Sequence, residues 1–502
     1  MSNNLQPSPE LLGQLATLYN KGRFALLEKR TKKLLGDYPS APVLYEILGA
    51  ALAGQNKLEE AAESCRAILR LQPENASAHS NLGFALREIG QLEEAVESCR
   101  RAVTLKPDHA EAHNNMAMAL QSLGRLDEAI AGYRQAATIV PNYAAAHSNL
   151  GIALRAQGKF DEAVESCRRA LQIEPDNGRM HGNLGVALRE AGHIEDAVTS
   201  CRQAIEIDPK NAEAFNNHGI ALRELGKLDD AVESYSKAIA IKPDYAEAHN
   251  NLGNVLNDLA CREEALECFR RTLSLNPNHA LARHMVAALT GETTESAPDE
   301  YVTKLFDEYA RKFDRHLVES LGYDTPERLA ELVRNALPER LTFDRGADLG
   351  CGTGLSGAAF RKLSGWLVGI DLSPEMLKQA RQKRVYDEII LGNITDALTG
   401  MDNHFDLFIC TDVLIYVGDA EEIFAIAAKR ASPGAVFCLS TEEFDGEGYV
   451  LRPTGRYAHS DAYIETVAAG HGFKLVAKQD ALIRKGEAGP IPGRHFLLEK
   501  TS

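Results

Sequence analysis

One spacing governs the first half of the chain: Pro39, Pro73, Pro107, Pro141, Pro175, Pro209, Pro243 and Pro277 follow one another at intervals of 34 residues. Twelve residues before each of the last seven stands an alanine: Ala61, Ala95, Ala129, Ala163, Ala197, Ala231 and Ala265. Twenty-four before six of them stands a glycine (Gly49, Gly83, Gly151, Gly185, Gly219, Gly253), and Ala117 takes the remaining place. A unit this short cannot bury its own apolar face and must stack on its neighbours. Within a unit, two amphipathic helices meet at a turn such as Leu123-Gly124-Arg125-Leu126-Asp127. Gly124 permits a left-handed backbone there. Asp127 and Glu128 complement the dipole of the second helix, Ala129 keeps its face thin, and Pro141 ends it.

With each proline set at position 32, helical periodicity clusters positions 4, 7, 8 and 11 on a packing face, as in His147, Leu150, Gly151 and Leu154. Positions 2, 5, 6, 9, 12 and 13 then line a concave groove. Position 6 is asparagine six times: Asn81, Asn115, Asn149, Asn183, Asn217 and Asn251. Position 12 carries Arg87, Arg155, Arg189 and Arg223. An asparagine ladder offers one acceptor and two donors per step, which suits an extended peptide backbone; the alternative is that it satisfies neighbouring loops. Acids often follow the arginines (Glu88, Glu190, Glu224), so a strongly acidic ligand is not demanded. His79, His113, His147, His181 and His249 read as core residues, about one helix-packing distance apart and too far to chelate a metal. Cys65, Cys99, Cys167 and Cys201 share position 24 and read as packing residues.

These features resemble the tetratricopeptide repeat, over residues 8–279 in eight units, the first degenerate with Leu15 and Leu27 at its small-residue positions. Residues 280–291 look like a capping helix and 292–300 like a linker. The His-Ser-Asn-Leu-Gly form resembles the repeats of O-GlcNAc transferase, which implies a protein or peptide partner in the groove.

Charge narrows the partners. There are 31 basic residues against 37 acidic before residue 291 and 24 against 34 after it, for a net −16. Neither half has the surplus that nucleic-acid backbone or an anionic membrane surface requires. No window approaches the roughly 18 apolar residues of a membrane span. Met1-Ser2-Asn3-Asn4-Leu5 carries no signal-peptide pattern. Nine cysteines without a C-x-x-C pair fit a reducing, cytoplasmic setting and indicate no metal site. Oligomeric state stays open.

After residue 300 strands alternate with helices: Ala347–Gly350, Trp366–Asp371, Ile389–Asn393, Leu407–Asp412 and Ala435–Thr441, with Phe473–Val476 and Phe496–Leu498 able to complete a sheet. This predicts an α/β domain, Rossmann-like, with a mostly parallel sheet. The sharpest motif is Asp348-Leu349-Gly350-Cys351-Gly352-Thr353-Gly354-Leu355, after a strand and before a helix. Asp371 follows at a strand end, where an acid can accept ribose hydroxyls. A nicotinamide-dinucleotide fingerprint fits in one frame, Gly352, Gly354 and Gly357. Asp348 has no role beside an anionic pyrophosphate and suits an ammonium and a sulfonium.

This pattern resembles motif one of the class I S-adenosylmethionine methyltransferases, and residues 301–502 look like that family with its seven-stranded sheet. The resemblance implies that Gly350, Cys351, Gly352 and Gly354 lie along the methionine part of S-adenosylmethionine, with Asp348 near its amino group. Asp371 would hold the ribose, Leu372 and Met376 pack on adenine, and Asn393 and Ile394 meet its edge, although Asp is commoner at Asn393. Phe306, Asp307, Tyr309, Ala310, Phe313, Asp314, Arg315 and His316 would form a helical lid; the alternative is an amphipathic helix with aromatic packing. Thr411 follows the fourth strand beside the cofactor. Asp412, Tyr416 and His459 are candidate acceptor-site residues, each with a plainer role as cap or core.

The whole reads as a methyltransferase whose repeat groove docks a protein or peptide. The alternatives are an interaction scaffold with an inactive methyltransferase fold, and a small-molecule methyltransferase whose repeats serve assembly.

Overall fold

A computed structural model describes residues 6–314, 317–318, 322–340, 342–486 and 489–501. The chain divides into two compact units, Met1–Pro243 and Asp244–Ser502.

Among the described residues the first unit has fourteen helices, from Pro9–Asn20 to Leu228–Ile241. They run in the pairs that the proline spacing predicts. Ala144–Ala156 and Phe160–Ile173 form one pair, joined through Gly158 at a φ of +78°. Asn75, Asn177 and Asn211 cap first helices, each side-chain oxygen accepting from the N–H three residues on.

The packing distance between paired helices is set at position 8. A β-carbon on Gly83 would stand 2.2 Å from the Cys99 sulfur, on Gly151 2.5 Å from that of Cys167, and on Gly185 2.4 Å from that of Cys201. Cys65, Cys99, Cys167 and Cys201 are all buried, and burial pushes the Cys99, Cys167 and Cys201 thiols up to about 12. They stay protonated and act as apolar filling.

The histidines differ from their expected core setting. The Nε2 atoms of His79, His113, His147 and His181 lie 2.8–3.0 Å from the carbonyls of Pro73, Pro107, Pro141 and Pro175. The rings are half-buried at the turn between repeats. The turn leaves those carbonyls without a helical donor, and the ring meets them.

The second unit begins with Ala246–Asp258 and Arg262–Leu275, closed by Ala280–Thr290, which ends at Gly291 in the left-handed conformation. This closing helix packs into the sheet domain. His284 Nε2 lies 2.8 Å from the Gly455 carbonyl, and Ala287 and Ala288 pack with Ala297, Tyr301, Ile415 and Tyr457. The segment read as a linker is held along the same domain. The Glu295 carbonyl accepts from the Gly418 and Asp419 N–H groups at 2.8 Å each, and Ala297 N–H donates to the Tyr416 carbonyl at 2.9 Å. Its polar backbone finds partners there, so it forms a strap rather than a free connector.

The sheet domain has nine strands: β1 (Phe343–Leu349), β2 (Ser364–Asp371), β3 (Glu388–Leu391), β4 (Phe405–Cys410), β5 (Ala431–Glu442), β6 (Tyr449–Leu451), β7 (Tyr457–His459), β8 (Phe473–Gly486) and β9 (Gly489–Lys500) among the described residues. Seven form one sheet in the order β3-β2-β1-β4-β5-β9-β8, while β6 and β7 pair separately. The first five are parallel neighbours and β9 runs antiparallel to β5 and β8. Apolar layers cover both faces, one around Phe408, Phe424 and Phe437, the other around Leu329, Phe360 and Leu407. Chain order reverses between β1 and β4, where sheets of this kind open a crevice for ligands.

The Gly151–Cys167 contact generates a double-mutant test. Gly151→Ala should lower the urea midpoint, by roughly 1–3 kcal/mol of overpacking. Adding Cys167→Ala should recover part of that loss, and strictly additive losses would show that the two residues are not in steric competition.

Candidate functional site

The crevice is built on the glycine loop. After β1, the N–H groups of Gly350 and Cys351 both donate to the Ile370 carbonyl at 2.9 Å, turning the loop across the end of β2. Gly350, Gly352 and Gly354 all have positive φ, at +71°, +51° and +91°. A β-carbon on Gly350 would stand 2.4 Å from Val413 Cγ2, whereas one on Gly352 would meet nothing within 4 Å. Gly352 lines the cavity at this end of the sheet, so its bare backbone keeps room for a ligand.

Asp371 holds this loop. Its Oδ2 accepts from Gly352 N–H and its Oδ1 from Ser373 N–H, both at 2.8 Å. Burial pushes the Asp371 carboxyl up, and these backbone donors oppose that shift. Beneath the loop lies Tyr386, which the sequence did not single out. A β-carbon on Gly357 would clash with its ring at 2.4 Å and one on Gly369 would lie 3.1 Å from it. Its hydroxyl donates to Asp348 Oδ2 at 2.6 Å. Asp348 is fully buried, and desolvation raises it to about 7, against the Tyr386 hydrogen bond and with help from the Asp371 charge. The structure places Asp348 under the loop and not among the cavity-lining residues.

The cavity itself has a volume of about 440 Å³, within the usual range for small-molecule sites. Gly350, Gly352, Asp371, Leu372, Asn393, Ile394, Thr411, Asp412 and Tyr416 line it. The buried Cys351 and Met376 are not among the lining residues, nor is Gly354. Asp412 has a φ of +55°, its N–H donating to Ser440 Oγ at 2.9 Å, so a non-glycine residue in a left-handed turn sits on the cavity wall. His459 lies outside the lining; its Nε2 is 2.8 Å from the Gly418 carbonyl, and burial pushes it down to about 4. Its ring belongs to the core behind the site.

Two pieces from before the sheet complete the wall: the strap, through Glu295, Ser296 and Ala297, and the helix Asp299–Asp314, through Asp299, Val302, Phe306 and Phe313. The helix is pinned by Asp307, which accepts from Ser373 Oγ at 2.5 Å, and by Asp314, which pairs with Lys383 at 2.5 Å and hydrogen-bonds Thr353. Ala310 is buried, and the Tyr309 and Phe313 rings meet edge to face. Arg315 and His316 lie outside the described residues. Among the described lining residues seven are carboxylic acids (Glu295, Asp299, Asp371, Asp412, Asp419, Glu421, Glu422) and none is Lys, Arg or His. Such a wall favours a cationic ligand.

In the repeat groove the asparagines are tied between successive repeats. Asn115 Nδ2 donates to Ser80 Oγ at 3.2 Å, Asn149 to Asn114 Oδ1 at 3.1 Å, and Asn183 to Ser148 Oγ at 3.1 Å. Arg189 pairs with Glu224 at 2.8 Å and Arg155 with Glu190 at 3.4 Å, and Arg87 pairs with Glu88. Gly182 takes the place that Ser80, Asn114 and Ser148 occupy in their repeats. A small cavity of about 80 Å³ opens there, lined by Arg155, Asn183 and Asn217 among others. Arg223 lies in the helix Ala212–Glu224, Asn251 in Ala246–Asp258, and Asn81 in Ala76–Glu88.

Family models match both parts of the chain. A family model described as "Methyltransferase domain" matches residues 347–439. Models described as "Tetratricopeptide repeat" match residues 18–76, 74–142, 108–176, 154–216, 200–233 and 246–279. Curated relatives include an 18S rRNA (guanine-N(7))-methyltransferase of Bos taurus, 35% identical over 16% of this chain and 30% of its own length. A ubiquinone biosynthesis O-methyltransferase of Xanthomonas campestris is 32% identical over 22% and 47%. The biotin biosynthesis bifunctional protein BioCD of Bordetella avium is 30% identical over 30% and 31%. The chain thus spans less than half the length of these relatives. Among solved structures, the anaphase-promoting-complex assembly Cut9-Hcn1 aligns with a TM-score of 0.45 at 21% identity, over 56% of this chain and 55% of that one. YrrB, a TPR protein with an unusual peptide-binding site, aligns at 0.32 and 26% identity, over 38% and 97%.

Asp348 generates a pH prediction. Its carboxyl keeps a proton when folded up to about 7, against an ordinary value of 3.8. The folded chain therefore binds the extra proton inside that window, and this group's contribution to stability falls as pH rises from 3.8 to 7. Asp348→Asn should gain stability relative to the parent chain across that window in chemical denaturation, and an unchanged difference would show that the parent carboxyl ionises without penalty.

Proposed function

We propose that the chain, which matches family models of the tetratricopeptide repeat and of a methyltransferase domain, is an S-adenosylmethionine-dependent methyltransferase whose repeat groove docks a protein or peptide partner. The observation that carries the cofactor reading is the cavity wall, with seven carboxylic acids, no basic side chain among its described residues, and an open glycine at position 352. S-adenosylmethionine bears a sulfonium and an ammonium against one carboxylate, and when bound it supplies an electrophilic methyl group.

The chain's own residues then have definite tasks. Gly350 and Gly352 let backbone approach the ligand, and Asp371, fixed by two backbone N–H groups, faces the ribose. Phe306 and Phe313 on the lid helix cover the cavity, excluding water and holding the acceptor in line, where alignment supplies much of the rate. Tyr416, edge to face with Phe306 at 5.3 Å, and Asp412 stand at the β4 end, where an acceptor would enter. Asp412 would take the proton from an acceptor that must lose one. In the groove, the amide N–H groups bound between repeats leave the asparagine carbonyls as acceptors for a partner's backbone N–H groups.

Calorimetry tests the first half. The full chain should bind S-adenosylmethionine, and Gly352→Arg, which fills the open cradle, should abolish binding; the left-handed φ of +51° at that position should also cost about 1–3 kcal/mol of stability, so unliganded thermal unfolding is measured to show that the variant is folded. No binding by the parent chain, or equal binding by the variant, overturns the reading. For the second half, labelled S-adenosylmethionine in lysate should mark a protein acceptor. Asn149→Ala with Asn183→Ala should reduce that labelling severalfold without changing cofactor affinity; labelling confined to small molecules would favour repeats that serve assembly.

A further inference from the structure

Along the sheet, the glycine loop follows β1, Asp371 ends β2, and the next ledge is Gly392–Thr395 at the end of β3. A nucleoside whose ribose meets Asp371 extends its base onto that ledge, between the apolar Leu372 and Ile394. The polar edge there is Asn393, and its side chain is already engaged. Thr395 N–H and Thr395 Oγ1 both donate to Asn393 Oδ1, at 3.0 and 2.8 Å. A backbone N–H can only donate, so the carbonyl oxygen must face Thr395 and the amide nitrogen must point the other way. It points to Asp299, 3.1 Å from Oδ2 and 3.4 Å from Oδ1. Asp299 is the first residue of the lid helix, and it lines the cavity.

We infer that Asp299, supplied by the lid helix, reads the exocyclic amine of the cofactor's adenine. This deepens the proposed cofactor reading and rests on it. Asn393 has no acceptor capacity left for a base, because both lone pairs of its oxygen meet Thr395. A carboxylate is acceptor-only, with about four lone-pair sites, and Asn393 uses part of that capacity. An acceptor-only group at the rim of a flat apolar slot selects a base that carries a donor there and repels one that carries a carbonyl. Asn393 is then a positioning residue that orients the Asp299 carboxylate. The lid helix thereby does more than cover the cavity, since its first residue becomes part of the base-recognition edge.

The test uses two ligands that differ only at that edge, S-adenosylhomocysteine and S-inosylhomocysteine, in calorimetry on the full chain. The parent chain should prefer the adenine ligand by roughly ten- to a hundredfold, the span of a hydrogen bond to a charged group. Asp299→Asn, whose amide can donate to the hypoxanthine carbonyl, should lower that ratio at least about tenfold. Asp299→Ala should flatten it without favouring hypoxanthine. Unliganded thermal unfolding shows that each variant is folded. If the parent binds the adenine ligand and both variants keep its ratio, the Asp299 assignment is overturned and the cofactor reading stands. If the parent binds neither ligand, both fall together.

Discussion

Where Gly151 faces Cys167, a β-carbon would stand 2.5 Å from the sulfur, and that missing atom sets how closely the two helices of a repeat can pack. The relation holds when the filling residue changes. Gly219 faces the ring of Tyr235 and Gly253 that of Phe269. Where Ala117 replaces the glycine, the space is made from the other side, because Gly132 lies against the Ala117 methyl. The same device recurs in the sheet domain. Tyr386 fills the space left by Gly357 and Gly369, and its hydroxyl then reaches Asp348 under the glycine loop. Absent side chains thus set both the packing of the solenoid and the shape of the glycine loop at the cavity, since interiors tolerate neither void nor overlap.

The site is a composite of distant stretches. The sheet contributes the glycine loop, Asp371 and the β3 ledge. The strap after the last repeat helix contributes Glu295, Ser296 and Ala297, and the lid helix Asp299, Phe306 and Phe313. Because the strap's backbone bonds to Tyr416, Gly418 and Asp419, the segment after the last repeat helix and the cavity wall beyond β4 share hydrogen bonds. Charge is distributed on the same plan. The acidic excess of the C-terminal half, anonymous in composition, is partly concentrated on the cavity wall.

Much of this was legible in the residues. The proline spacing located helices and turns, since periodic burial and backbone breakers act locally. The glycine loop and Asp371 were legible because left-handed φ values and close approach exclude most side chains. Other parts had no local signal. Tyr386 reads as one more aromatic until Gly357 and Gly369 are seen against it. The burial of Asp348 under the loop, and the placement of His459 outside the cavity lining, likewise leave no trace in the residues around them. The groove asparagines were visible as a ladder, but their amide bonds to the preceding repeat depend on how neighbouring units stack.

By itself the sequence determined a helical array of 34-residue units followed by a domain with a mostly parallel sheet and a glycine-rich loop after its first strand. Repetition, amphipathic period and glycine placement each constrain the backbone within a few residues. Only the tertiary structure decided that the linker is a strap on the cavity and that Asp348 lies buried under the loop with its Oδ2 on the Tyr386 hydroxyl. It alone decided that the amide nitrogen of Asn393, whose oxygen caps the next helix locally, meets Asp299. Those outcomes turn on which donors and acceptors meet across 38 residues, from Tyr386 to Asp348, or across 94 and more, from Asn393 to Asp299 and from Gly418 to Glu295, a question that packing of the whole domain answers and local pattern does not.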